Sequence, residues 1–244
     1  SAALFFGQTA AAEEKAAEEV KPSHVEMVLV LDESGSMSNL TNDTIGGFNS
    51  MIEKEKKLDV DAHVTTVLFN DQYKMLYNRR ELKDVRKMTD KDYTPGGMTA
   101  LLDAVGRTIH KMDMVSGIHR KDKGNKVLFV IITDGEENDS REYTYADVKK
   151  LIKDRQENAG WEFIFLGANI DAAAAAENLG IDRDRAVKYK NTGSGVRANF
   201  KAVAELSDSL AKSGRVSDEW KETVEKDEDD AADKQSAAVT LHRR

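Results

Sequence analysis

Val28-Leu29-Val30-Leu31-Asp32-Glu33-Ser34-Gly35-Ser36-Met37 is an apolar run that ends abruptly in D-x-S-x-S. The run, extended back to Val25, is nearly all apolar, as a strand covered on both faces is. The polar residues after it place one carboxylate and two hydroxyls on a tight turn at the strand's C-terminal end. All three are hard oxygen donors, which suit Mg²⁺, Mn²⁺ or Ca²⁺ rather than zinc or copper. Two further stretches share this character. Pro95-Gly96-Gly97-Met98-Thr99 is a Gly-rich loop ending in a hydroxyl. Val130-Ile131-Ile132-Thr133-Asp134-Gly135 is a second buried strand ending in a carboxylate.

Outward from these segments the pattern alternates. Leu40 to Leu58 carries Ile45, Phe48 and Ile52 at helical spacing. His63 to Phe69 is rich in β-branched residues, and Asn70-Asp71 reads as the turn to a partner strand, Tyr73 to Tyr77. Leu101 to Met112 and Tyr143 to Asn158 read as amphipathic helices. Trp161 to Leu166 is a third buried strand, Asp171 to Asn178 an Ala-rich helix, and Arg185 to Lys188 a short edge strand. Asn191 to Gly195 reads as a flexible loop before a last helix marked by Val196, Phe200, Val203 and Leu210. The fold class this implies is α/β: a doubly wound, mainly parallel sheet with one antiparallel edge strand and helices on both faces. Ligands in such sheets bind beyond the strand C-termini where strand order reverses, so Asp32 and Asp134 are expected to converge.

Composition sets outer bounds. The 244 residues are read as one domain over 23–212, with an N-terminal extension at 1–22 and an acidic C-terminal tail at 213–244. Ala10 to Val20 is rich in Ala, Glu and Lys and reads as a helix or helical linker. The chain has no cysteine, which excludes disulfides, thiolate metal sites and thiol catalysis. Together with the lack of an apolar stretch long enough for a membrane span, this gives the expectation of a cytoplasmic protein. The formal net charge is −8, and Asp218 to Lys234 alone holds nine acidic and three basic residues. No basic face is left to attract a phosphate backbone, so nucleic acid is not an expected partner. Neither tail has the apolar content to join a core.

The three motifs, in this order and each after a strand or opening a helix, resemble the von Willebrand factor A (VWA) domain with its metal-ion-dependent adhesion site, or MIDAS. Asp32, Ser34 and Ser36 match the family's D-x-S-x-S; Thr99, followed by Ala100-Leu101, matches its threonine; Asp134, followed by Gly135, matches its second aspartate. The match covers roughly Ser23 to Lys212, and the short loops without cysteine are similar to bacterial or phage members. The resemblance implies a Rossmann-like fold and a metal site of Asp32, Ser34, Ser36, Thr99 and Asp134, with Asp134 binding directly or through water. It implies Mg²⁺, or Mn²⁺ or Ca²⁺, as the ion, and a protein partner that offers an Asp or Glu carboxylate to an open position. Asp32 to Ser36 alone would equally serve as a helix cap. Thr99 and Asp134 in register favour the metal.

Several neighbouring residues have two readings. Glu33, Glu136, Glu137 and Asp139 either add negative potential around the ion or, for Glu136 and Glu137, favour the next helix N-terminus. Asp103 and Asp139 read as surface polar residues. Gly96-Gly97 is expected to make the Thr99 loop mobile. His24 and His63 fall at the opposite end of the sheet from Asp32, and they, His110, His119 and His242 read as lone surface residues. There is no P-loop. The function expected is a divalent-metal-dependent binding module and not an enzyme. The alternatives are a metal-dependent phosphoester hydrolase, with only Glu33, Glu136 and Glu137 on offer as base or nucleophile, and an accessory subunit of a ring ATPase.

Overall fold

The computed structural model describes residues 23–115 and 124–226. The extension at 1–22, including Ala10 to Val20, lies outside the described residues, as do His119, His242 and everything beyond 226.

Six strands form one sheet: β1 (His24–Asp32), β2 (Ala62–Phe69), β3 (Tyr73–Glu81), β4 (Asn125–Thr133), β5 (Glu162–Gly167) and β6 (Ala186–Lys188). Their spatial order is β3-β2-β1-β4-β5-β6. Every neighbouring pair is parallel except β2–β3, the antiparallel edge. The edge strand runs on to Glu81, past Tyr77. Helices pack on both faces of the sheet: α1 (Thr41–Lys57), α2 (Leu101–Asp113), α3 (Tyr145–Ala159), α4 (Ala172–Asn178) and α5 (Gly193–Ser213).

Side chains alternate across a strand, so β1 feeds two cores at once. Val25, Met27, Leu29 and Leu31 pack with Phe48 and Ile52 of α1 and with Phe200, Val203 and Leu210 of α5. Val28 and Val30 pack on the other face with Leu102, Val105 and Ile109 of α2 and Val148 and Ile152 of α3. The central strands are buried on both faces, which is why their sequences run apolar without alternation.

Two segments differ from the sequence expectation. The 191–195 stretch is the capped start of α5, and no loose loop separates it from the helix: Gly195 N–H donates to the Thr192 hydroxyl at 3.2 Å. A Cβ on Gly195 would stand 1.9 Å from the Lys190 carbonyl, so only glycine lets the chain fold back there. The second difference is the acidic tail. Residues 219–226 form a helical segment whose Trp220 and Val224 are fully buried in the core of the α1–α5 face. Trp220 and Val224 are four residues apart and therefore share one helix face, which the charged residues around them leave free. The expectation that Asp218 onward stays off the core is corrected up to residue 226.

Candidate metal site

β1 and β4 are adjacent and parallel, with Leu31 opposite Ile132. The chain leaves β1 towards β2 on one side and later returns as β4 on the other. Strand order therefore reverses between them, and the crevice opens where both strands end. Asp32 closes β1, and Asp134 follows the last residue of β4.

The side chains meet there. Asp32 Oδ1 accepts the Ser34 backbone N–H at 2.7 Å, which folds the turn back over the carboxylate. Asp32 Oδ2 accepts the Thr133 hydroxyl at 2.7 Å. Ser34 Oγ and Ser36 Oγ are 3.1 Å apart, and the Ser36 hydroxyl donates to Asp134 Oδ1 at 2.6 Å. Asp32, Ser34, Thr99 and Asp134 are buried, and Ser36 is exposed at the mouth.

The Thr99 loop is tied to this turn. Gly35 N–H donates to the Gly97 carbonyl at 3.1 Å, and Gly96 N–H to the Glu33 carbonyl at 2.9 Å. Asn70 Nδ2 holds the Gly96 carbonyl at 2.8 Å. Asn138 clamps Thr99 from both sides: its Oδ1 accepts the Thr99 N–H at 2.8 Å and its backbone N–H donates to the Thr99 carbonyl at 3.0 Å. Gly97 has φ +74°, and a Cβ there would stand 1.9 Å from Asp71 Oδ1. Gly97 thus seats the loop closely against Asp71, and the hydrogen bonds at Gly96, Gly97 and Thr99 tie the loop that was expected to be mobile to its neighbours.

Burial raises the Asp32 carboxyl above its ordinary range, and the negative charge of Asp134 adds to this. The buried Tyr189 is pushed up by burial and then by the charges of Asp134 and Asp32. Neither aspartate forms an ion pair with Lys, Arg or His among the described residues. Two buried carboxylates, with hydroxyls between them and no cationic side chain bonded, make a donor set suited to a hard divalent cation.

The neighbouring acids separate clearly. Glu33 turns away from the crevice: its carboxylate accepts the Thr94 N–H at 3.0 Å and pairs with Lys74 at 3.3 Å. Glu137 accepts N–H groups of Leu102, Asp139 and Ser140, so it caps the start of α2, an earlier helix than expected. Asp103 is not a surface residue. It is buried, and its carboxylate accepts the backbone N–H groups of Arg141, Glu142 and Tyr143. Asp139 faces Arg141 at 3.5 Å. Glu136 remains exposed beside the crevice, and Met98, half-exposed, stands on the Thr99 loop.

Sequence reasoning missed the supports. Thr133 was visible only as the residue before Asp134. Tyr93, whose hydroxyl donates to the Asp32 carbonyl at 2.7 Å, carried no motif. Asn191 Nδ2 reaches Asp134 Oδ2 at 3.4 Å and Asn169 Nδ2 the Asp134 carbonyl at 3.3 Å, both from later loops. At the far end of the sheet, His24 and His63 are not lone surface residues: both flank the buried Glu26. The H-x-E spacing of His24 and Glu26 was the available signal, since i and i+2 share a strand face.

The model of the VWA domain found in the TerF C terminus matches residues 24–186. This chain belongs to that TerF-like VWA family. Solved structures show the same fold at low identity. The pilus adhesin SpaC of Lactobacillus rhamnosus GG matches with a TM-score of 0.57 at 14% identity, over 77% of this chain and 31% of that one. VWA2, a paralogue of ArnB from Sulfolobus acidocaldarius, matches with a TM-score of 0.51 at 19% identity, over 76% and 46%. Proximal thread matrix protein 1 of the mussel byssus, in a structure with a zinc-occupied MIDAS motif, matches with a TM-score of 0.52 at 12% identity, over 76% and 46%. The TerF-like chain spans less than half the length of each of these. No curated protein matches it in sequence.

Proposed function

We propose that this TerF-like VWA domain is a binding module that holds a partner protein's Asp or Glu carboxylate through a divalent cation. Asp32, Ser34, Ser36, Thr99 and Asp134 would hold the ion, with Mg²⁺ first and Mn²⁺ or Ca²⁺ as alternatives. The observation that carries this reading is the Ser34–Ser36–Asp134 hydrogen-bonded chain beside Asp32, built from residues 98 positions apart. A bound cation would supply an electrophilic position for an incoming carboxylate.

The chain's own residues support that use. Two carboxylates and several neutral hydroxyls leave a divalent ion with little charge neutralised beyond its own. Thr133 and Asn191 fix the two carboxylates, and Tyr93 fixes the Asp32 backbone carbonyl. Glu33 and Glu137 are bonded to backbone N–H groups, and Glu33 also pairs with Lys74, so neither carboxylate is free to act at the mouth. The same bonds weigh against a hydrolase, because they withdraw two of the three carboxylates that could act as a base.

Pull-down from native lysate tests the reading. Partner capture is expected in Mg²⁺ and lost on adding EDTA. Thr99→Ala, which removes one neutral donor and no charge, is expected to keep a measurable metal site and to weaken capture. Capture indifferent to both EDTA and Thr99→Ala would overturn the metal bridge.

A further inference from the structure

β4 and β5 end side by side, with Thr133 opposite Gly167. One chain end leads on through Asp134, Gly135 and Glu136 towards α3, and the other through Asn169 and Ile170 to α4. Between these two loops and the start of α2 lies a cavity of about 260 Å³. Its deep wall is apolar: Leu101, Phe165 and Leu179 are buried there, and Ile170 partly so. Glu136 and Asp171 line the same cavity and are exposed, which puts carboxylates at its rim. Tyr145, 45% exposed, stands on that rim too. Gly135 lines the cavity and follows Asp134 directly, so the cavity begins one residue from the metal crevice. A Cβ on Gly135 would meet nothing within 4 Å, so the space beside it is open.

The charges around this cavity do not balance. Glu136, Glu137 and Asp171 line it, and among the described residues no Lys, Arg or His does. The arginines of the adjoining loops are engaged elsewhere, Arg141 with Asp139 at 3.5 Å and Arg183 with Glu177 at 2.8 Å. Glu137 is held by the N–H groups of Leu102, Asp139 and Ser140, and Asp171 Oδ1 accepts the Ala174 N–H. Glu136 forms no ion pair among the described residues and faces solvent. It would repel a lone carboxylate approaching the ion, and a cation beside that carboxylate turns the repulsion into attraction. An apolar wall with carboxylates at its mouth fits a long aliphatic stem with a cationic head, because the stem covers apolar surface while the head stays in water. The Tyr145 ring offers a face to the same cation. A purely apolar side chain would fill the wall and leave the acidic rim unanswered.

We propose that this cavity receives a Lys or Arg side chain from the same partner segment whose carboxylate meets the ion at Asp32 and Asp134. The carboxylate half rests on the metal-bridge reading above, and the cation half rests on the cavity alone. The partner is then a segment that carries both signs of charge close together, and an all-acidic segment is disfavoured by Glu136. An extended segment advances about 3.3 Å per residue, so the two charged residues are expected about one to four positions apart.

Two NMR titrations of the full chain test the halves separately. In saturating Mg²⁺, capped hexapeptides carrying one Glu and one Lys at each of these spacings are compared with the same peptides in which norleucine replaces Lys. Norleucine keeps the stem and removes the charge. At the best spacing the Lys peptide is expected to bind about three- to fivefold tighter, and Glu136→Gln to erase that difference while Mg²⁺ affinity stays within about threefold. Ala174→Leu, at an exposed helical position lining the cavity, is expected to fill it and weaken the Lys peptide about tenfold with the fold unchanged. In the metal-free chain, n-butylguanidinium is expected to shift the amides of Glu136 and Ala174 saturably, and to lose that effect in Ala174→Leu. Lys and norleucine peptides that bind with equal affinity at every spacing would overturn the proposal and leave the metal bridge standing. If no peptide binds in Mg²⁺, the butylguanidinium titration decides alone. A saturable shift lost in Ala174→Leu then supports the cavity and counts against the metal bridge, and no saturable shift overturns the proposal.

Discussion

Thr133 shows how much of the crevice depends on groups outside the five proposed ligands. Its buried hydroxyl donates to Asp32 Oδ2 at 2.7 Å. Thr133→Val keeps the shape and removes the bond. Metal affinity is expected to fall about 10–100-fold, with the same stoichiometry, by calorimetry. Glu55 makes the second argument at this scale. It is fully buried between α1 and α5, with the Ser207 hydroxyl on Oε2 at 2.8 Å and no partner on Oε1. Burial pushes its carboxyl up to about 7, Asp208 adding to the rise and Lys54 and Lys212 opposing it. Between the ordinary value of 4.5 and about 7 the unfolded chain has lost a proton that the folded chain retains, so stability falls as pH rises through that window. Glu55→Gln removes the titration. Its advantage over the parent chain in urea denaturation is expected to be larger at pH 8 than at pH 5 by about 2 kcal/mol. An equal effect at the two pH values would contradict it.

At the scale of elements, the strands were legible and the supports were not. β1 and β4 read correctly because strands buried on both faces must be apolar throughout, and the first polar residues after them mark the crevice. Asp32, Ser34, Ser36 and Asp134 stand out in the sequence for that reason, and the turn after β1 and the end of β4 place them beside one another. The Glu26 cluster was not legible, because it depends on β1–β2 register and on an irregular turn of β3 that aims Arg79. The buried roles of Asp103 and Glu137 were hidden too: each answers backbone N–H groups of loops, whose path no periodicity encodes. The 219–226 segment was misread because its average composition is acidic, while two residues at i and i+4 decide its fate. Trp220→Ala in the full chain is expected to destabilise the fold by about 3–5 kcal/mol. A change in the denaturation midpoint no larger than that of a surface substitution would show that this segment does not hold to the core.

For the whole molecule, one sheet carries two chemically distinct ends. The strand C-termini present hard oxygen donors around Asp32 and Asp134, and the strand starts present imidazoles around Glu26. The fold alone does not decide function, since VWA sheets at 12–19% identity occur in proteins as different as a pilus adhesin and a byssal matrix protein. The decision rests on the Asp32 crevice holding a divalent cation. Calorimetric titration of the full chain with MgCl₂ and MnCl₂, parent against Asp32→Ala, tests this most directly. The expected result is one saturable site in the parent, absent in Asp32→Ala, with the circular dichroism of the two chains superimposable. Equal Mg²⁺ and Mn²⁺ affinity in the parent and Asp32→Ala, or no saturable binding in the parent, would contradict the account.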